Sequence, residues 1–413
     1  MIEFNKFKLT NGLTVIHHND ESTPLVAFNI LYDVGARDED ENRTGFAHLF
    51  EHLMFGGSKH VPNFDEPLQK AGGQNNAFTS NDLTNYYCSL PKDNLETAFW
   101  LESDRMLELA FTPKSLEVQR NVVIEEFKQR YLNQPYGDVW LLLRPLAYKN
   151  HPYKWATIGK AIEHIADASM DEVKAFFYKH YTPQNAILCV AGDISLQTVE
   201  QLSNKYFGEI PSREKFNRNI PQEPQQQEYR ELTVERDVPA DAIYMAFHMC
   251  SRTDPNYHAT DLISDILSRG RSSRLFKGLV LENPKFNEIS AYVSGSIDNG
   301  LFMVTGKPAE GVSLKEAQEL IWEYLEDLKS TLVTERELEK VKNKVESSNV
   351  FGEMTVLNKA MSLCFYELIA DADAINHEVE KYKKVKLEDI KQIAGEIFRK
   401  ENCSVLNYKA KKS

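Results

Sequence analysis

Apolar and polar positions alternate from the start of the chain. "KFKLTNGLTVIHHND" holds two short strand-like runs around the turn-forming pair Asn11-Gly12, and "PLVAFNILYDVG" predicts a longer strand ending at Gly35. The period then changes. Residues from Thr44 to about Phe55 suit a helix, which the glycines at 56 and 57 would stop. "NNAFTSNDLTNYYCSLP", rich in Thr, Tyr and Phe, returns to alternation and reads as a strand closed by Pro91. Helical stretches follow at about 92–109, 114–132 and 136–148. "DASMDEVKAFFYKHY" carries a Ser169 cap with Glu172 three positions on, "AILCVAG" is a buried-strand run, and "SLQTVEQLSNKYFG" is another helix.

Around 217–228 the pattern lapses: "NRNIPQEPQQQE" loses apolar residues and gathers Pro and Gln, as a linker does. Beyond it the order restarts. "YRELTVERDV" and "AIYMAFHMC" are strand-like, "NYHATDLISDIL" is helical, and the chain closes on "CSVLNYKA". The second half therefore reads as a diverged copy of the first. A length of 413 residues also exceeds what one hydrophobic core usually serves. The expected division is a domain over 1–218, a linker over 219–228 and a related domain over 229–413, in the α+β class.

Composition narrows the function classes. A formal charge of −13 argues against broad binding to nucleic acid or anionic membranes, because phosphates reward Lys and Arg. No apolar run reaches 18 residues, so no membrane span is expected. The five cysteines are scattered and never form C-x-x-C, which fits reduced thiols in a cytosol. The N-terminus lacks a basic start followed by an apolar run, which agrees with a cytoplasmic location; removal of an export signal would leave the same sequence and place the chain in the periplasm.

Within the first predicted helix lies "HLFEH", residues 48–52. Residues four apart share a helix face, so His48 and His52 can direct their imidazoles at one metal ion, and Glu51 faces roughly the same way. Two imidazoles, a third protein ligand and a water make a catalytic zinc site, with a carboxylate to take the proton of the water. The order is the inverse of H-E-x-x-H and matches a known class of zinc peptidase signature. Taken alone, the pentapeptide is better explained by a helix with two partly buried, hydrogen-bonded histidines. A third ligand decides the matter. "SLEVQRNVVIEEFKQR" offers the adjacent Glu125 and Glu126 beside an apolar stripe of Val118, Val122 and Val123. Neighbouring helical residues point about 100° apart, so one of the two is expected at a metal, and spacing does not choose between them. "GGSK" and "SRGRSS" do not fit a phosphate-binding loop. His17 and His18, adjacent in a strand, are expected to be solvated, and His151, ahead of a proline, to belong to a structural loop.

"GARDEDENRTGFAHLFEHLMFGGSK", "GGQNNAFTSNDLTNYYCSLP" and "QRNVVIEEF", in that order, resemble the inverted zinc metallopeptidases that include pitrilysin, insulin-degrading enzyme and the mitochondrial processing peptidase. "HPYKWATIG" and "FFYKHYTPQNAILCVAGDI" resemble the smaller bacterial branch of that family, and the likeness is dense over about residues 8–210. The resemblance implies two related α+β domains, each a mainly antiparallel sheet with helices packed on it, together forming half of a clam-shell. It implies one zinc ion per chain held by His48, His52 and a downstream glutamate, with Glu51 as general base. In the family's register the glutamate six residues after Arg120 is the ligand, which is Glu126. It also implies that Asn76, Ala77 and Phe78 lie on an edge strand that pairs with the substrate backbone. The activity expected is hydrolysis of short or unfolded polypeptides; the alternative is a non-catalytic peptide-binding or scaffold subunit.

Two positions depart from the pattern. Gln119 stands where many relatives have a second glutamate. Val280 and Asn287 stand where the family ordinarily carries an Arg and a Tyr that grip the substrate. The expectation is therefore a zinc-bearing subunit that dimerises with a related chain supplying the Arg and Tyr. A homodimer with a differently built clamp is the alternative.

Overall fold

The computed structural model describes residues 1–214 and 216–411; Lys215 and the last two positions of the second expected domain lie outside the described residues. In chain order the strands are β1 (Asn5–Lys8), β2 (Thr14–Asn19), β3 (Leu25–Tyr32), β4 (Gln74–Thr79), β5 (Thr84–Pro91), β6 (Ala186–Gly192), β7 (Arg230–Arg236), β8 (Ala242–His248), β9 (Phe286–Val293), β10 (Leu301–Pro308) and β11 (Cys403–Ala410). The helices of the first half are α1 (Phe46–Leu53), α2 (Asp65–Lys70), α3 (Leu95–Leu107), α4 (Pro113–Phe127), α5 (Val139–Ala147), α6 (Glu163–Ala166), α7 (Met170–His180) and α8 (Leu196–Phe207). Those of the second are α9 (Tyr257–Ser268), α10 (Arg274–Phe276), α11 (Leu314–Ser330), α12 (Glu335–Gly352), α13 (Val356–Ile369), α14 (Glu378–Lys384) and α15 (Leu387–Ile397). Among the described residues, no helix is long and apolar enough to cross a membrane.

The fold is α+β with two sheets. One has six strands in the order β1-β2-β6-β3-β5-β4, the other five in the order β7-β11-β8-β10-β9. Set β1 aside and the two orders coincide strand for strand. The single parallel pair also falls in the same place, β2 with β6 and β7 with β11, while the other pairs are antiparallel. The restart of the pattern beyond the linker is thus a repeat of topology.

Contacts divide the chain into two compact units: 1–128, 155–220 and 350–377 in the first, and 129–154, 221–349 and 378 onward in the second. The division falls inside the linker, but two segments change sides, unlike the contiguous domains drawn from sequence. Packing explains the exchange. In the first unit β3 is buried on both faces: Ala27 and Leu31 meet Val356, Ala360 and Leu363 of α13, while the Phe28 ring meets Phe99 of α3 edge-on at 4.9 Å. In the second unit Leu143 and Ala147 of α5 cover one face of the sheet through Ala246, Met303 and Leu406. The opposite face packs α9, α11 and α15 through Phe247 and Val304.

Three local expectations change. The alternating stretch ending at Pro91 is a hairpin, β4 and β5, because Ser80 and Leu83 close a turn in its middle (Ser80 N to Leu83 O, 2.9 Å). His17 and His18 are buried instead of solvated, each ring bonded to a carbonyl, of Ile194 at 2.7 Å and of Glu3 at 2.7 Å. On α4 the buried residues are Leu116, Val123 and Phe127, whereas Val118 and Val122 face solvent.

The connector has no regular structure, and its own polar side chains tie it down. In the first unit Arg218 grips Asp38 (Nε to Oδ1, 2.7 Å) and Asp33 (Nη2 to Oδ1, 2.9 Å). In the second, Glu223 accepts the amides of Lys149, Asn150 and His151 at 2.8–2.9 Å. His180, at the end of α7, is fully buried, and neither ring nitrogen has a partner among the described residues. The rings of Phe176 and Phe216 lie 4.6 and 4.8 Å from it. Burial, helped by Lys179 and Arg218, pushes its pKa from the ordinary 6.5 down to about 3. A base whose folded value is depressed contributes stability that is complete above about pH 6.5 and is lost as pH falls toward 3. The melting temperature of a His180→Phe chain should therefore fall less between pH 7 and 5 than that of the wild type. Parallel curves would count against this assignment.

Candidate metal centre

Helix α1 is only eight residues long, yet six of them are buried, His48 included, and the helix keeps a narrow stripe open that holds His52 and Glu51. Phe50 anchors it from below. Its ring stacks on Phe176 at 5.1 Å and on Tyr181 at 5.2 Å, and its carbonyl accepts the Tyr86 hydroxyl at 3.2 Å. The N-cap is Gly45, in the left-handed region at φ 90°, and an added Cβ would meet the Ile158 carbonyl oxygen at 2.6 Å. A glycine is required there.

Helix α4 starts on a Thr112 cap followed by Pro113 and runs beside α1. Glu126, near its end, turns toward the histidines. Its Oε2 lies 3.2 Å from His52 Nε2 and 3.6 Å from His48 Nε2, and the three donor atoms all fall within 4.8 Å of one another. Glu125 turns outward and pairs with Lys128 at 2.7 Å. The fold thus distinguishes two residues that spacing alone does not. Zinc bonds of about 2.0–2.1 Å at the tetrahedral angle set neighbouring donors about 3.3–3.4 Å apart, so a carboxylate oxygen 3.2 and 3.6 Å from the two imidazoles suits a shared zinc ion.

Glu51 lies one helical turn after His48, half-buried. Burial raises its pKa above the ordinary carboxylate value; Thr79 and His52 oppose the rise and Glu126 adds to it. Thr79 ends β4, the outermost strand of the sheet, which among the described residues pairs only with β5 and lies beside α1. Asn76 and Phe78 on this strand are exposed and Ala77 is buried, its amide donating to Asn76 Oδ1 at 2.8 Å. The edge expected from sequence therefore runs alongside the carboxylate. Gln119, seven residues before Glu126, lies beside Gly56 at the end of α1. Val280 sits in the helical turn 277–282, and Asn287 on β9 donates to the Pro308 carbonyl at 3.3 Å.

One group has no counterpart in the sequence reading. The buried carboxyl of Glu39 accepts the amides of Gly45 (2.9 Å) and Ala47 (2.8 Å) and the indole N–H of Trp155 (3.1 Å). Burial pushes this carboxyl up to about 8, while the three donors pull it back down and Asp38 adds to the rise. The spacing to its partners, six and eight residues, falls outside the capping-box pattern, so no short motif marks it.

Two family profiles cover most of the chain. Insulinase (peptidase family M16) matches residues 14–159, which carry α1, β4 and α4, and the peptidase M16 inactive domain matches residues 167–345. The chain is similar to the zinc protease PqqE of Helicobacter pylori, 28% identical over 397 residues that cover 95% of this chain and 89% of that one. Among solved structures it is similar to a protease from Helicobacter pylori, with TM-score 0.93, 27% identity, and 99% of this chain and 100% of that chain covered. Pitrilysin shares the fold at TM-score 0.79 and 18% identity, with 99% of this chain matching 45% of that one. The order of motifs, the repeated sheet topology and these likenesses agree: the chain belongs to peptidase family M16, the family of insulinase and pitrilysin.

Proposed function

We propose that the chain is a zinc-dependent endopeptidase acting on short or unfolded polypeptides. The observation that carries this reading is the convergence of His48 Nε2, His52 Nε2 and Glu126 Oε2, with Glu51 on the same helix beside an unpaired sheet edge. When bound, zinc supplies the Lewis acidity that polarises a peptide carbonyl and acidifies a water. His48, His52 and Glu126 hold the ion, one per chain. Glu51 takes the proton of the attacking water and returns it to the leaving amine, work suited to a carboxyl whose pKa burial has raised. An extended substrate adds to the free edge of β4 at Asn76, Ala77 and Phe78. Backbone pairing is common to all peptides, which suits a loosely selective enzyme and excludes folded proteins that cannot offer a strand.

The second part of the proposal is a partner. Val280 is apolar and Asn287 is already bonded to a backbone carbonyl, so neither supplies a cation or a phenol to grip a peptide. The chain also spans only 45% of pitrilysin. A related chain lacking H-x-x-E-H but retaining the Arg and Tyr completes the site.

The test is metal content and hydrolysis of an unstructured peptide, measured with and without such a chain. Close to one zinc per chain is expected, with hydrolysis weak alone, stronger with the partner, abolished by a chelator and restored by zinc. If the chain binds no zinc, the approach of Glu126 to the two imidazoles is a structural contact, which the same distances allow, and the peptidase reading fails. Full activity from the single chain removes the partner, and activity that follows self-association identifies a homodimer.

A further inference from the structure

In α1 the Leu49 amide is the first to bond back, to the Gly45 carbonyl at 2.9 Å, so the amides of Gly45, Phe46, Ala47 and His48 have no acceptor within the helix. A side-chain cap would ordinarily take some of them. Gly45 has no side chain, and the contact with Ile158 excludes a larger residue there. Glu39 takes that place from a distance: one oxygen accepts the Gly45 amide and the other the Ala47 amide, directly ahead of His48. Trp155 orients the carboxyl, its indole N–H shared between Glu39 Oε2 at 3.1 Å and the Ala36 carbonyl at 3.0 Å.

Trp155 also begins the stretch 155–168, which touches both helices that carry metal donors. Ile158 backs Gly45, and the Lys160 amide bonds to Thr44 Oγ1 at 2.9 Å, just ahead of α1. At the far end the Ala168 carbonyl accepts Arg120, on α4. The geometry points to Glu39 as a positioning residue: through the amides of α1 and through Trp155, it fixes where His48 and His52 stand relative to Glu126. This rests on the proposed zinc site.

The tolerance makes the role demanding. Metal–ligand distances hold to about 0.2 Å, and a donor atom about 5–6 Å from the helix axis moves that far when the helix turns by about 2°. A two-turn helix with unfastened amides does not hold so fine a setting by itself. A carboxyl bonded to two amides of the first turn, and held from outside the helix by Trp155, opposes this rotation.

The experiment measures zinc affinity by competition with a chromophoric chelator, together with melting temperatures of the zinc-free and zinc-loaded chains. Glu39→Gln keeps the volume but replaces one acceptor oxygen with an amide donor; Trp155→Phe leaves both backbone bonds to Glu39 and removes the indole N–H together with part of the buried ring. The expected result is zinc binding weaker by about 10–100-fold in Glu39→Gln, the usual effect of removing a group that orients metal ligands, and by a smaller factor in Trp155→Phe. The gain in melting temperature on adding zinc should shrink in the same order. A purely structural cap would lower both melting temperatures equally and leave the affinity unchanged, and that result overturns the inference. Should Glu39→Gln fail to fold, Trp155→Phe decides alone, with wild-type affinity overturning the inference. Absence of zinc binding in the wild-type chain overturns the metal site itself, and is thus distinct from failure of the Glu39 role.

Discussion

With Glu51→Gln, zinc content should stay at the wild-type level while peptide hydrolysis falls by at least about 10²–10⁴-fold, the contribution of a positioned general base. Glutamine preserves the volume of the side chain and suits a helix. It cannot accept a proton. Glu51 is not among the three atoms that converge on the metal position, so the donor set survives the change. Metal content measured on the same sample separates loss of the base from loss of the ion. Hydrolysis close to the wild-type rate in a zinc-loaded Glu51→Gln chain would remove Glu51 from the mechanism.

The second large effect contrasts two neighbours. Glu126→Gln should weaken zinc binding by about 10²–10³-fold, corresponding to roughly a quarter of the 10–16 kcal/mol typical of four-ligand zinc sites. Glu125→Gln should leave it unchanged. The Glu125 side chain is 61% exposed and pairs with Lys128, a surface contact worth about 0–1 kcal/mol. Chelator competition on both variants reads the contrast directly. If the Glu125 variant loses zinc and the Glu126 variant keeps it, the orientation of α4 described above is wrong.

The contrast also shows where sequence reasoning stops. Periodicity places "HLFEH" on a helix because its two histidines and its glutamate are local neighbours, and α1 carries them as expected. The third donor comes from a helix some seventy residues away in sequence, and the choice between Glu125 and Glu126 depends on the rotation of that helix. The valines that would have indicated its rotation, Val118 and Val122, point to solvent, so a stripe read through them points the wrong way. Family register identifies Glu126 where the physics of one helix does not. Glu39 is harder still to see, since it acts on amides beyond the reach of any short motif.

The hairpin of β4 and β5 was obscured for a different reason. The polar run from Thr79 to Asp82 breaks the alternation and "SND" carries turn-forming residues, but no Gly or Pro marks the turn, so the segment reads as one strand. Two adjacent strand positions face opposite ways, which predicts solvent for one of His17 and His18 at least; in a sheet covered on both faces, both directions lead inward. Conversely, the near-continuous apolar run of β3 already signals two covered faces. Sequence alone does not show that one of the covers comes from the other end of the chain.

That exchange bears on how the protein is made. As the chain leaves the ribosome, the first sheet has all six of its strands by Gly192, but the helix that covers Ala27, Leu31 and Cys189 begins only at Val356. For more than a third of synthesis one face of a complete sheet therefore stays uncovered. The segment 129–154 is made early and must wait for a sheet whose central strands extend to Ala410. Neither unit is a free-standing product of one contiguous stretch of gene. A cut at the proline- and glutamine-rich connector, where sequence alone would separate two domains, leaves each fragment without the helix that seals its core.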